Sequence, residues 1–160
     1  MIRLRPFLEK DTEKILSMCK DEKEFYLWTA GVLGDYPLEK ESFDSLKNVI
    51  RFTALDDKEV CGFFTMRNPL PTADELRVGF VIVAPEKRGR GYGKEMLRLA
   101  SEYAANIYKA KILSLGVFEN NLPAIKCYES AGFKMSQTAP PELYSVLGET
   151  KKVFRMEKIL

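Results

Sequence analysis

Histidine is absent from the chain. Without it there can be no Ser-His-Asp triad, no Cys-His dyad and no HExxH zinc site. Any acid or base must be Tyr, Glu, Asp, Lys, Cys or a water. Cysteine is sparse. Cys19, Cys61 and Cys127 lie far apart and form no CxxC pair, so a zinc knuckle is not expected, nor any other metal site. An odd number of thiols, and an N-terminus (Met1–Pro6) without the apolar core of a secretory signal, point to a cytoplasmic protein with reduced thiols. Long apolar runs are also missing. The longest is about Val78 to Ala84, far short of the ~20 residues of a membrane span. No excess of one charge exists either. Lys and Arg number 25 against 23 Asp and Glu, a net charge of +2. General nucleic-acid binding favours a clearly basic domain, so no nucleic-acid partner is expected.

What is present is enough chain for one domain, residues 1–160, with a core that needs no disulfide or metal staple. Ile2–Phe7 alternates weakly and reads as a strand. Thr12–Cys19 has helical spacing at Ile15, Leu16 and Cys19, with Asp11 as its expected N-cap. Residues 21–48 are polar with scattered aromatics, broken by Gly31, Gly34 and Pro37 into short helices and loops. Val49–Leu55 and Val60–Arg67 flank a polar turn and predict a hairpin. Glu75–Val83 is a third, more apolar strand. Lys94–Tyr108 places Met96, Leu97, Ala100, Tyr103, Ala104 and Ile107 on one face of an amphipathic helix. Lys111–Phe118 reads as a strand. Ala124–Ser130 reads as a short helix with Asn121 as N-cap, Pro123 in its first turn and Gly132 just past its end. Tyr144–Leu147 and Lys152–Ile159 read as two last strands. The order predicts an α/β domain with a mixed sheet.

The most informative segment runs from Val81 to Lys94. A strand enters a glycine-rich turn, Arg88-Gly89-Arg90-Gly91-Tyr92-Gly93, and the turn opens a helix. The free N–H groups and dipole of such a helix end attract phosphate. Glycine lets backbone N–H groups approach an anion without an intervening Cβ. Residues 85–98 carry five basic and two acidic side chains, a local excess above that of the whole chain. A diphosphate ligand fits. The nucleotide-hydrolase pattern GxxxxGK[ST] fails, because Arg88 stands at its first glycine and Glu95 at its hydroxyl position. The dinucleotide pattern GxGxxG fails as well, because Lys94 stands at the third glycine.

Together these residues resemble the GNAT superfamily of N-acetyltransferases. Arg88–Gly93 resembles its Q/R-x-x-G-x-G/A pyrophosphate loop. Asn121-Leu122-Pro123-Ala124 followed by Tyr128-Glu129-Ser130-Ala131-Gly132-Phe133 resembles its N-x-x-A-x-x-x-Y-E-x-x-G-F signature, with Asn121 28 positions after Gly93. Residues 8–48 carry no specific motif. The resemblance implies a GNAT-like fold: a central, mostly antiparallel sheet with one splayed parallel strand pair, flanked by helices. It implies acetyl-CoA as cosubstrate and direct attack of a primary amine through a tetrahedral intermediate. Val81, Ile82 and Val83 would face pantetheine and the thioester. Arg88, Gly89, Arg90, Gly91, Tyr92, Gly93 and Lys94 would wrap the pyrophosphate. Asn121 would hold the pantetheine arm, a role compatible with helix capping.

Tyr128 takes the position of the family's general acid. Its phenol has a reference pKa near ~10 and stays protonated at neutral pH. Cys127, its neighbour, reads as a packed thiol. A bulged strand near Ile82–Val83 would offer backbone N–H groups to the oxyanion. Glu75 is a candidate base on the third strand, sharing a face with Arg77 and Gly79 by strand parity; the alternative is a solvated strand-end carboxylate. Arg77 stands where some branches of the family keep a glutamate. Gly116 stands where the branch that acetylates protein N-termini keeps one. The acceptor, a small molecule or a protein amine, would enter near Phe25, Tyr26, Trp28, Tyr36 and Asp35, unless these aromatics only pack short helices onto the sheet. The oligomeric state stays open from the residues, and the resemblance points to a homodimer. A non-catalytic acyl-CoA-binding or sensory domain on the same fold is the alternative function.

Overall fold

The computed structural model describes residues 1–71 and 74–160. The strands are β1 (Ile2–Pro6), β2 (Ile50–Asp56), β3 (Glu59–Arg67), β4 (Glu75–Val83), β5 (Ile112–Phe118), β6 (Lys134–Met135), β7 (Glu142–Val146) and β8 (Glu149–Ile159). The helices are α1 (Thr12–Leu16), α2 (Glu22–Thr29), α3 (Lys40–Asp44), α4 (Tyr92–Asn106) and α5 (Leu122–Ser130). One sheet runs β1-β2-β3-β4-β5-β8-β6, and β7 pairs with β8. All its pairs are antiparallel except β4–β5. The expected mixed sheet with one parallel pair is therefore what forms.

The two faces of the sheet bury different partners. On one, α4 and α5 cover Phe52, Phe64, Met66, Leu76, Val78, Leu113 and Leu115. On the other, Ile15 and Met18 from the α1 region and Phe43 from α3 pack on Phe63 and Ile82. The long helix α4 forms where the 3.6-residue pattern predicts it, burying Met96, Leu97, Ala100 and Ala104. Ile107 departs from the expectation. The helix ends at Asn106, and Ile107 is 69% exposed.

β4 carries the feature that shapes the site. Thr65 pairs with Gly79 and Phe63 with Ile82. Two steps along β3 therefore face three along β4, so β4 holds an extra residue. Phe80 adopts φ of 50° there, a left-handed conformation uncommon for a bulky residue. The extra residue reverses side-chain parity. Leu76 and Val78 point toward α4 before the bulge, as do Val81 and Val83 after it. Pairing with β5 stops at Val78–Leu115, and no further β4–β5 pair follows. The bulge lies earlier than expected, at Gly79–Val81 rather than Ile82–Val83. Strand parity alone cannot locate an inserted residue.

Asp11 also departs from its expected role. Its side chain makes no capping hydrogen bond to α1. The carboxylate turns back instead. It accepts two bonds of 2.7 Å from the Arg5 guanidinium, one from Leu8 N at 3.1 Å and one from Thr53 Oγ1 at 2.9 Å. Asp11 thus ties β1 and β2 to the turn before α1. α1 itself stops at Leu16, short of the expected Cys19. Burial raises the Asp11 pKa, but the Arg5, Leu8 and Thr53 bonds outweigh it and hold the carboxyl below its ordinary value. Its stabilisation is therefore complete above the ordinary carboxyl pKa and declines as pH falls through the lowered one. Asp11→Asn should cost about 1–3 kcal/mol at neutral pH. In urea unfolding at stepped pH, the gap between parent and variant should stay constant above about pH 5 and close below about pH 4.

Candidate active site

The glycine loop forms as a turn between β4 and α4. Gly89 and Gly91 have φ of 70° and 83°, and a Cβ at either would meet nothing within 4 Å. Both faces are open to a ligand. Gly91 is also the N-cap of α4 and gives the helix no side-chain cap. The first N–H groups of a 15-residue helix are thus left for an anion. Gly93 has a different purpose. A Cβ there would lie 2.8 Å from Cys127 Sγ, so this glycine lets α4 and α5 approach.

The loop faces a cleft of about 660 Å3 bounded by the end of β4, the start of α4, and α5 and α2. Val81, Ile82 and Val83 line one wall, and Arg88, Gly89, Gly91, Tyr92, Gly93 and Lys94 line its end. Asn121, the N-cap of α5, and Ala124, Cys127 and Tyr128 of α5 line another wall. Arg90 is not part of the lining; its guanidinium lies 5.8 Å from the Tyr92 ring centre. Asn121 accepts a long capping bond from Ala124 N at 3.4 Å.

Arg88 and Tyr92 are held by the protein itself. The Arg88 guanidinium donates to Val83 O at 2.9 Å and Met18 O at 2.8 Å, and lies 2.6 Å from Glu24. It fastens the loop to the segments around α1 and α2. Tyr92 Oη donates to Asp56 at 2.6 Å, and Lys87 lies 3.5 Å from the same oxygen. The glycine loop is thereby pinned at both flanks while its backbone stays open.

A second cleft of about 280 Å3 adjoins the first. Trp28, Val81, Asn121, Ala124 and Tyr128 line both. Tyr128 thus stands where the two spaces meet. It is half-buried, and among the described residues its hydroxyl makes no hydrogen bond to protein. Burial and the neighbouring Cys127 raise its pKa above the ordinary value of 10.0, so the phenol is a proton donor throughout the neutral range. Burial also raises the Cys127 thiol. Cys61 is pushed up to about 11 and Cys19 to about 12, both chiefly by burial. None of the three is a ready thiolate.

Other expected groups lie elsewhere. Glu75 lines neither cleft. It is buried, accepts a hydrogen bond from Ser114 Oγ and is 2.8 Å from Arg155 Nη1. Burial raises its pKa, but Arg155 and Ser114 outweigh this and the net shift is downward. It is neither solvated nor free. Phe25, Tyr26, Tyr36 and Asp35 line neither cleft. Phe25 is core, with Tyr26, Trp28 and Tyr36 around its ring at 5.1, 6.4 and 5.4 Å. Only Trp28 of the expected acceptor group reaches the second cleft. Sequence reasoning missed Leu27, Arg67 and Tyr144 there, and Lys126 and Ser130 in the first cleft. The helical spacing of Pro123, Cys127 and Ser130 was the available signal for α5. Arg67 and Tyr144 had none.

The fold has counterparts among solved structures. The spermidine N-acetyltransferase of Vibrio cholerae, solved with CoA and spermine, superposes with a TM-score of 0.81 over 99% of this chain and 95% of that one, at 20% identity. A protein assigned by name to phosphinothricin N-acetylation superposes with a TM-score of 0.77 over 100% of this chain and 99% of its own, at 18% identity. Among curated proteins, the spermine/spermidine N(1)-acetyltransferase of Bacillus subtilis strain 168 is 41% identical over 49 residues, 31% of this chain. That stretch spans only 32% of the relative's length. The family model of the GNAT acetyltransferases matches residues 13–133. The chain belongs to the GNAT acetyltransferase family. Among the described residues, no group of three or more His, Cys, Asp or Glu could hold a metal ion, and no helix is long and apolar enough to cross a membrane.

The contact at Gly93 is directly testable. Alanine is favoured over glycine within a helix by about 1 kcal/mol, yet here its Cβ would meet the Cys127 sulfur. Gly93→Ala should lower stability by about 1–3 kcal/mol through overpacking. In a Cys127→Ala background the same change should be neutral or stabilising. Urea unfolding of the four proteins measures this coupling.

Proposed function

We propose that the protein is an acetyl-CoA-dependent N-acetyltransferase acting on a primary amine. The observation that carries this is the position of Tyr128, its phenol unpartnered among the described residues, at the junction of a glycine-ended cleft and a second, smaller one. The open faces of Gly89 and Gly91, the uncapped start of α4 and the Lys94 charge suit a pyrophosphate. The divergence of β4 from β5 after Val78–Leu115 leaves unpaired strand edges. An extended amide-bearing chain such as pantetheine can pair with such an edge as an added strand. Asn121 lies beside both spaces and suits an amide of that chain.

Acetyl-CoA supplies the acetyl group as a thioester. The amine nitrogen forms a bond to the carbonyl carbon, and the carbon–sulfur bond breaks. The backbone at the Gly79–Val81 bulge is aimed away from regular ladder pairing and can donate N–H to the developing oxyanion. Tyr128 gives its proton to the departing thiolate. No protein base is placed at Glu75, because Ser114 and Arg155 already engage its carboxylate; water takes the proton of the amine. As part of the same assignment the protein works in the cytoplasm, which its three free cysteines suit.

Calorimetry should show acetyl-CoA and CoA binding, with ATP failing to compete at similar concentration. Single-turnover acetyl transfer to an accepted amine tests the acid. Tyr128→Phe should lower that rate by about 10²–10⁴-fold with little change in acetyl-CoA binding. An unchanged rate would remove Tyr128 from the chemistry. Because its pKa is raised, the parent's alkaline loss of rate should begin above pH 10.0, the ordinary tyrosine value.

A further inference from the structure

The second cleft has an unusual charge. Arg67 and Arg77 line it, and among the described residues no Asp or Glu does. The two arginines are direct cross-strand partners in the β3–β4 ladder. Like charges placed opposite each other in a sheet are destabilising unless something stands between them. Arg77 is only 15% exposed, and its Nη2 atom would lie 2.9 Å from a Cβ at Gly116. The missing side chain at Gly116 is what gives the guanidinium its place beside the cleft.

The protein compensates Arg77 poorly. Its single ion-pair partner among the described residues is Glu142, at 3.4 Å and 51% exposed. The same Glu142 carboxylate also accepts from Tyr144 Oη at 2.9 Å. A pair that long and that wet contributes little. Arg67 makes no ion pair among the described residues. The nearby Arg155 is fully engaged by contrast, 2.8 Å from Glu75 and 3.0 Å from Glu157. Burial lowers the pKa of Arg77, and Arg67 and Arg155 add to this against Glu142 and Tyr144.

Resting on the acetyltransferase assignment above, we infer that the acceptor is a primary amine that also carries a carboxylate, which Arg77 and Arg67 bind while the amine faces Tyr128. A guanidinium fork matches a carboxylate with two parallel hydrogen bonds. Its placement between the two arginines relieves their repulsion. A polyamine would bring several positive charges to a cleft lined by two cations and no carboxylate, and like-charge contacts of that kind select against a partner. The chain therefore departs in acceptor chemistry from the similar proteins named for spermine and spermidine.

The test compares amines that differ only in the carboxylate: L-lysine with cadaverine, and L-leucine with isoamylamine, with spermidine alongside. CoA release gives kcat/KM for each. The carboxylate-bearing member should be favoured by at least roughly tenfold, the effect of one charge-assisted bond. Arg77→Gln should reduce that ratio by roughly ten- to a hundredfold and Arg67→Gln by up to roughly tenfold. Arg67 is exposed at the strand end, so its variant reports even if Arg77→Gln misfolds. Preference for cadaverine or spermidine, or an unchanged ratio in both variants, would overturn the inference. If no amine releases CoA, the acetyltransferase assignment fails and the anion site is still decided by binding. Calorimetry on the CoA-saturated protein then compares N-acetyl-L-leucine with N-isoamylacetamide. Tighter binding of the acid that Arg67→Gln weakens supports the site. Equal binding of the two, or none, overturns it.

Discussion

One extra residue in β4 decides how the site exists at all. Four residues of β4 pair in parallel with β5, from Glu75–Ile112 to Val78–Leu115, and then the ladder ends. With the bulge at Gly79–Val81, β4 stays bonded to β3 through Phe63–Ile82 and Gly62–Val83 while leaving β5. A bulge bends its strand and increases local twist. The sheet thus opens along one seam without losing its outer ladders. The second cleft lies on that seam, lined by residues 78–81 of β4 and 115–118 of β5, and it meets the first cleft at Val81. A regular β4 would continue its pairing and close the space.

Keeping such a seam open requires that its flanks be fixed from outside. Arg88 ties the glycine loop to the Met18 carbonyl and to Glu24, and Tyr92 ties the start of α4 to Asp56 in β2. On the far side, Lys158 of β8 donates to Ser101 of α4 and to the Ala131 carbonyl after α5. These contacts join elements distant in sequence and hold the flanks of the loop through side chains, without using its own N–H groups. Side chains that sequence motifs associate with ligand binding can therefore act on the protein. Arg88 is the clear case: its guanidinium donates to the Val83 and Met18 carbonyls and pairs with Glu24, and so fixes the shape of the loop.

The electrostatics divide the seam into two regions of different chemistry. At the loop end, Lys94 and Lys126 accompany the open helix terminus, and Glu24 is held by Arg88. At the other end, Arg67 and Arg77 face each other across the β3–β4 ladder. The residues that line both clefts are apolar apart from Tyr128 and Asn121. The two proposed ligands, a diphosphate at one end and a carboxylate at the other, suit this distribution, and the Tyr128 phenol, its pKa raised by burial, stays protonated between them.

The sequence by itself determined the parts governed by local physics. The apolar period of 3.6 set α4, with Met96, Leu97, Ala100 and Ala104 inward. The glycines at 89 and 91 required left-handed turns, and Asn121 with Pro123 set the start of α5. The family motifs set these pieces in one order and singled out Tyr128, which lies where the two clefts meet. Only the tertiary structure decided where β4 bulges, because an inserted residue is defined by the partner strand's count and leaves no fixed mark in its own strand. It decided that Asp11 serves Arg5 and Thr53 rather than α1, and that Phe25, Tyr26 and Tyr36 pack on one another while Trp28 alone reaches the cleft. It decided that Glu75 is bound to Arg155 from β8, 80 positions away. The confrontation of Arg67 with Arg77 is of the same kind. Each arginine is ordinary in its own strand, and their shared charge emerges only once strand register sets them side by side.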